Sequence, residues 1–211
     1  MQREIEELRK QLAEQKAQNS VYSASLKQGV INDVLPSPAS VTTLTMQRLE
    51  DVALSGERLG HLYNQFFTYY HSFLPFLDSA MNSDQYFNLC PLLGWTIVLV
   101  AARRFSHEPT LLANLSAPYT KLLWASLCEM PQSYHVVKAL ALYCTWPLPF
   151  NSSSVDPTFM ISGIMMQIAL QTGLHRPLHA QDFGKYVKDI KDSDVKDRTV
   201  TWAVCNIICQ K

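Results

Sequence analysis

The sequence predicts an all-α protein: a helical domain of six or seven helices behind a short coiled-coil-like helix and a linker. Three observations predict it. Apolar residues recur at helical spacing in segment after segment. Helix-starting Ser, Asp and Pro and a helix-ending Gly stand at the edges of those segments. The one run that could pass for a buried strand, Leu92–Ala102, is longer than a normal strand, and no other segment reads as one.

The first segment, "MQREIEELRKQLAEQKAQ", has no Gly or Pro and is built from strong helix formers. Ile5, Leu8 and Leu12 fall on the a, d and a positions of a heptad, with Met1 on the preceding d. Arg3–Glu7 and Glu6–Lys10 are i,i+4 ion pairs. The seam fades at Gln15 and Asn19 after about two heptads, fewer than a long coiled coil shows. A helix this short is marginal alone, so residues 1–18 are expected to be a short dimerisation zipper, with a lone solvated helix as the alternative. Residues 19–45 read as a Ser/Pro linker, in which Pro36 and Pro38 rule out a regular element. The globular region is expected over 46–211.

Within it, Leu59, Leu62, Tyr63, Phe66 and Phe67 recur at helical spacing, with Pro75 as the expected stop. Next, "CPLLGWTIVLVAARRF" is expected as a buried helix with Pro91 in its first turn and Arg103–Arg104 at its end. In "SAPYTKLLWASLCEM", Ser116 is the expected cap and Pro118 the first turn. Another helix, "SYHVVKALALYCTW", runs towards Pro147. After it, "DPTFMISGIMMQIALQTG" has Asp156 as N-cap, Pro157 at the first position and Gly173 as the stop. From Lys185 to Arg198 there are five positive and four negative residues, read as a solvated loop leading into the helix "DVKDRTVTWAVCNIICQK". That helix carries no capping signal before Lys211, as expected of a chain cut within it.

Composition excludes several functions. The chain has 211 residues, 47% hydrophobic, 17% charged, with zero formal net charge, so no global field draws it to nucleic acid or an anionic membrane. The longest apolar run is too short to span a bilayer. Five cysteines, an odd number without a C-x-x-C pair, fit buried reduced thiols better than disulfides or a zinc ribbon.

The stretch "LQTGLHRPLHAQDF" packs His175, Arg176, His179 and Asp182 close together. His175 and His179 have metal-ligand spacing only on a continuous helix, and Gly173 and Pro177 interrupt one. The better reading is a helix C-cap, with Gly173 left-handed and His175 and Arg176 reaching the last carbonyls. Cys205 and Cys209, also i,i+4, read as a core stripe rather than a thiolate pair. The aromatics Phe66, Phe67, Tyr69, Tyr70, Phe73 and Phe76 read as core rather than as a ligand pocket. No nucleophile elbow or phosphate loop exists, so no catalytic, cofactor or metal residue is assigned.

Several pieces taken in order, "HSFLPFLD", "LLGWTIVLVAARR", "VVKALALYCTWPLPF", "IALQTGLHR" and "DRTVTWA", resemble the fungal-specific transcription factor domain, the middle homology region of binuclear zinc cluster regulators. The sharpest marker is Gly173, Leu174, His175 and Arg176. The extension "HRPLHAQDF" is similar to a subgroup of secreted-protease and weak-acid-response activators. The resemblance implies an all-α regulatory region acting in the nucleus on RNA polymerase II transcription. It implies a homodimer joined through Ile5, Leu8 and Leu12, co-regulators as partners, and no enzyme activity. Zinc and DNA are implied only for a six-cysteine cluster that these residues lack, so the chain is expected to be a fragment or a truncated gene product. The alternatives are a helical protein–protein interaction scaffold unrelated to transcription, or a helical enzyme with a pocket behind the aromatic helix.

If the first helix joins two chains, Leu8→Pro, or Ile5→Asp together with Leu12→Asp, lowers the apparent mass in light scattering. A wild-type chain that is already monomeric refutes the zipper.

Overall fold

The computed structural model describes residues 46–149, 156–183 and 191–210. The expected zipper and linker, 1–45, with Ile5, Leu8 and Leu12, lie outside the described residues. Seven α-helices and one short hairpin make up the described part.

The hairpin pairs β1 (Gln47–Leu49) antiparallel with β2 (Val52–Leu54), Leu49 opposite Val52. No strand was legible here. Three residues are too few to show alternation, and the turn residues Glu50 and Asp51 carry no Asn-Gly signal. Glu50 takes φ +49°, and its carboxylate reaches Lys121 Nζ at 3.1 Å. Leu54 is fully buried and anchors the hairpin to the core.

Helix α1 (Gly56–Tyr69) starts at Ser55, whose hydroxyl accepts from the Arg58 amide. It buries Leu59, Leu62, Tyr63 and Phe66, four of the five residues expected on its inner face. Pro75 is not what ends it: the α-helix stops at Tyr69 and a 3-10 turn, His71–Phe73, follows. His71 Nε2 donates to the Leu77 carbonyl (2.9 Å) and folds the segment back. Phe66, Tyr70 and Phe76 are core, whereas Tyr69 and Phe73 face solvent, because a run of six aromatics is wider than one helix face.

Helix α2 (Ser83–Leu89) was not anticipated, although "NSDQ" carries its signal. Asn82 accepts from the Gln85 amide (2.9 Å) and the Gln85 side chain accepts from the Asn82 amide (2.8 Å), a capping box. Helix α3 (Pro91–Ala102) begins at Pro91 as expected, and Leu92 through Ala102 are all buried. A helix apolar all round belongs inside. Helices α1, α2, α4 and α5 all pack on it. Its one polar interior group, Thr96, donates to the Leu92 carbonyl and bonds the buried Tyr119 hydroxyl at 2.9 Å.

Helix α4 (Leu111–Cys128) corrects the expected cap at Ser116. The cap position is Thr110, six residues earlier, so Pro118 lies inside the helix and Ser116 donates to the Leu112 carbonyl instead of capping. Proline inside a helix costs about 3 kcal/mol. Burial of Leu111 and Leu115, which the extra turns achieve, outweighs it. Helix α5 (Tyr134–Thr145) is capped by Ser133 and buried from Val136 through Cys144. Helix α6 (Thr158–Gln171) starts one residue later than expected. Asp156 Oδ1 accepts from the Thr158 amide (2.9 Å), and Pro157 occupies the cap. Helix α7 (Asp192–Cys209) comes last.

The α3–α5 pair forms the spine. Helices α1, α2 and α4 lie on α3, and α6 and α7 lie on α5. Among the described residues, no helix is long and apolar enough to cross a membrane.

A Cβ on Gly94 would sit 2.6 Å from the Phe87 ring, which is itself held edge-on by Trp95. Gly94→Ala should therefore cost about 1–3 kcal/mol in urea unfolding, and Phe87→Leu in the same chain should recover part of it. An unchanged midpoint for Gly94→Ala would show that α2 and α3 are not this closely packed.

Candidate functional site

The site grows from three elements. The first is the end of α6, "ALQTGLHR". Gly173 has φ +73°; its amide donates to the Leu170 carbonyl (3.1 Å) and the Leu174 amide to the Ala169 carbonyl (2.9 Å). These are the two bonds of a Schellman cap, and the fully buried Leu174 supplies its apolar contact. Any side chain at 173 would also meet Phe183, 2.5 Å from an ideal Cβ.

Past the glycine the chain turns away from the helix axis, and the expected cationic cap changes owner. Arg176 is exposed. His175 lies edge-on to Phe183 (5.0 Å) and Trp202 (6.1 Å), and its Nδ1 is buried without a hydrogen-bond partner. The Thr172 carbonyl is instead met by Arg198 Nη1 at 3.3 Å, from α7. The helix end therefore acquires its cation from a residue 26 positions away. His179 is exposed, at a kink in the 3-10 segment Pro177–Phe183, so the two histidines share no α-helical face.

The second element is α5. Lys138 lies on its buried face, 5% exposed. Its ammonium contacts both carboxylate oxygens of Asp197, at 2.6 and 2.7 Å, and the Tyr134 hydroxyl donates to the same carboxylate at 2.9 Å. Arg198 completes the group, its guanidinium 4.4 Å from the Tyr134 ring centre. Asp197 and Arg198 open the "DRTVTWA" marker. The charged run is thus not all a solvated loop: α7 starts within it at Asp192, and its last two residues turn inward, because Lys138 requires a counter-charge. Sequence reasoning missed Lys138 and Tyr134. The signal was present as a lone lysine in the apolar helix "HVVKALALYC".

The third element is "HSFLPFLD". Tyr86 donates to the Asp78 carbonyl at 2.6 Å. Burial is the main cause that raises the Tyr86 pKa, and the Asp78 charge adds to it.

Burial dominates the electrostatics. It pulls the Lys138 pKa down, against the pull of Asp197 in the other direction. Burial, followed by the Asp197 charge, pushes Tyr134 up. His135 lies against the Tyr134 ring (4.1 Å), its Nδ1 buried without a hydrogen-bond partner, and its pKa falls to about 4. Desolvation is the main cause; Lys138 and Arg198 lower it further, while Asp197 and Asp194 oppose them.

Cys205 is fully buried and Cys209 half-buried, as a core stripe requires, and Cys209 Sγ donates to the Ser162 carbonyl. Burial pushes the Cys144 and Cys205 thiols up to about 12, so both stay protonated at neutral pH. Among the described residues, no group of three or more His, Cys, Asp or Glu could hold a metal ion. What the arrangement does is positional: it fixes α7 across α5 and the end of α6.

A profile of the fungal specific transcription factor domain matches residues 63–205. The chain is 29% identical over 178 residues to the regulatory protein LEU3 of Saccharomyces cerevisiae, a match covering 77% of this chain and 20% of that protein. It is 31% identical over 172 residues to the putative transcription factor SEF1 of the same yeast, covering 80% of this chain and 14% of that protein. It is 31% identical over 157 residues to the transcriptional regulatory protein SEF1 of Candida albicans, covering 73% and 17%. The chain thus spans a fifth or less of the length of these relatives. No solved structure matches it significantly.

Neutral His135 stabilises the fold above the unfolded-state pKa of about 6.5. The unfolded chain takes up a proton that the folded chain refuses until about pH 4, so stability falls as pH drops from 6.5 to 4. Between pH 7 and 4.5 the wild type should lose about 2 kcal/mol more than His135→Gln in urea unfolding. Equal losses would place His135 outside this balance.

Proposed function

The chain belongs to the fungal specific transcription factor domain family, and from that premise we propose that it is the regulatory middle region of a zinc-cluster transcription factor acting on RNA polymerase II transcription in the nucleus. The observation that carries the reading is the family match over 63–205, which takes in all three marker segments. The regulators' names borne by the relatives favour it over a scaffold unrelated to transcription and over an enzyme.

In this reading the chain pairs with a second copy through Ile5, Leu8 and Leu12, and DNA is read only by a zinc cluster that these 211 residues do not contain. Paired clusters would then dock two half-sites at a spacing set by the dimer. The helical region contributes protein contacts with co-regulators, for which a rigid spine with latched outer helices is a suitable frame. The finer subgroup of protease and weak-acid-response activators rests on "HRPLHAQDF" alone.

Fused to an unrelated DNA-binding domain in a yeast reporter strain, the chain should change transcription relative to that domain alone. The unfused chain should show no sequence-specific shift of DNA. A neutral fusion, or nanomolar operator binding by the chain alone, overturns the reading.

A further inference from the structure

Helix α7 is held differently from the helices around α3. Its substantial packing is against α5, α6 and the Pro177–Phe183 segment. Its inner face mixes apolar Val204, Cys205 and Ile208 with Asp197 and the fully buried Thr201, whose hydroxyl donates to the Asp197 carbonyl at 2.7 Å. Most of the directional contact is concentrated at its first turns, where Asp197 meets Lys138 and Tyr134. An apolar contact weakens gradually as surfaces slide. A buried ion pair does not, because either partner left alone is strongly disfavoured. Such a contact has two states, docked and undocked.

The segment after α6 depends on the same helix. Arg198 occupies the Thr172 carbonyl at the Schellman cap. Trp202 lies against His175, and His175 against Phe183, which in turn covers Gly173. Withdrawing α7 removes the cation from the α6 end and one aromatic wall from His175. Unfolding the segment removes the neighbour of Trp202. Each therefore stabilises the other, and both are tied to α5 through adjacent residues, Asp197 and Arg198.

We propose that α7 and the Gly173–Phe183 segment dock and undock as one conformational element, latched to α5 by the Lys138–Asp197 ion pair. The rest of the domain, built on α3, remains folded when the latch opens. The family-marking residues Gly173, His175, Asp197 and Arg198 then all belong to the moving element, and Lys138 of α5 faces it across the joint. This inference stands on packing and does not depend on the role in transcription.

Hydrogen exchange read by mass spectrometry on the 211-residue chain, in a series of low urea concentrations, tests it. Amides of Gly173–Phe183 and of α7 should share one opening transition, at lower urea than α3. Asp197→Asn should raise exchange in both segments by the same factor, on the order of a hundredfold, and leave α3 protected. Separate transitions for the two segments, a shared transition coinciding with that of α3, or an Asp197→Asn effect confined to α7 each overturn the proposal. Should Asp197→Asn unfold the whole chain, the wild-type urea series still decides.

Discussion

Lys138 stands on the inner face of α5, a helix buried from Val136 through Cys144, and an ammonium in such a place is tolerated only with a counter-charge and its hydrogen bonds filled. Asp197 provides the charge, and Tyr134 shares the carboxylate. Once that pairing is made, the position of α7 follows. Arg198, the next residue, lands on the Tyr134 ring and the Thr172 carbonyl, and Trp202, one turn on, reaches His175. One buried charge thus sets the geometry of the α5–α6–α7 half.

The other half rests on a different constraint. Helix α3 has no solvent face after Pro91, so it must be surrounded, and α1, α2, α4 and α5 surround it. Polar bonds to that helix join neutral groups, such as Thr96 with the Tyr119 hydroxyl and the Tyr63 hydroxyl with the Gly94 carbonyl. The two halves meet along α3 and α5. One is bound by apolar area, which is graded and non-directional; the other is bound in addition by a directional ion pair. The proposed undocking of α7 and Gly173–Phe183 breaks that ion pair and leaves the packing around α3 in place.

The segments that identify the family perform structural tasks. Gly173 turns the chain where a Cβ could not go, Leu174 seals the cap, and Asp197 and Arg198 join two helices. Even "HSFLPFLD" is a fold-back, closed by His71 on the Leu77 carbonyl. A resemblance built on these residues therefore shows a shared architecture.

The sequence alone determined the all-α class, the buried α3, the inner face of α1 and the left-handed stop at Gly173. All of these depend on residues within about a turn or two of each other, where period, capping and backbone sterics act. Tertiary structure decided the rest. Pro118 lies inside α4 because burial of the preceding turns outweighs its cost. Asp197 turns inward because its partner Lys138 is 59 positions earlier, and Arg198 rather than Arg176 answers the α6 carbonyls because α7 crosses that end. A charge run looks solvated from the sequence because nothing local reveals which of its members will face a buried opposite charge. That is known only once distant helices have packed.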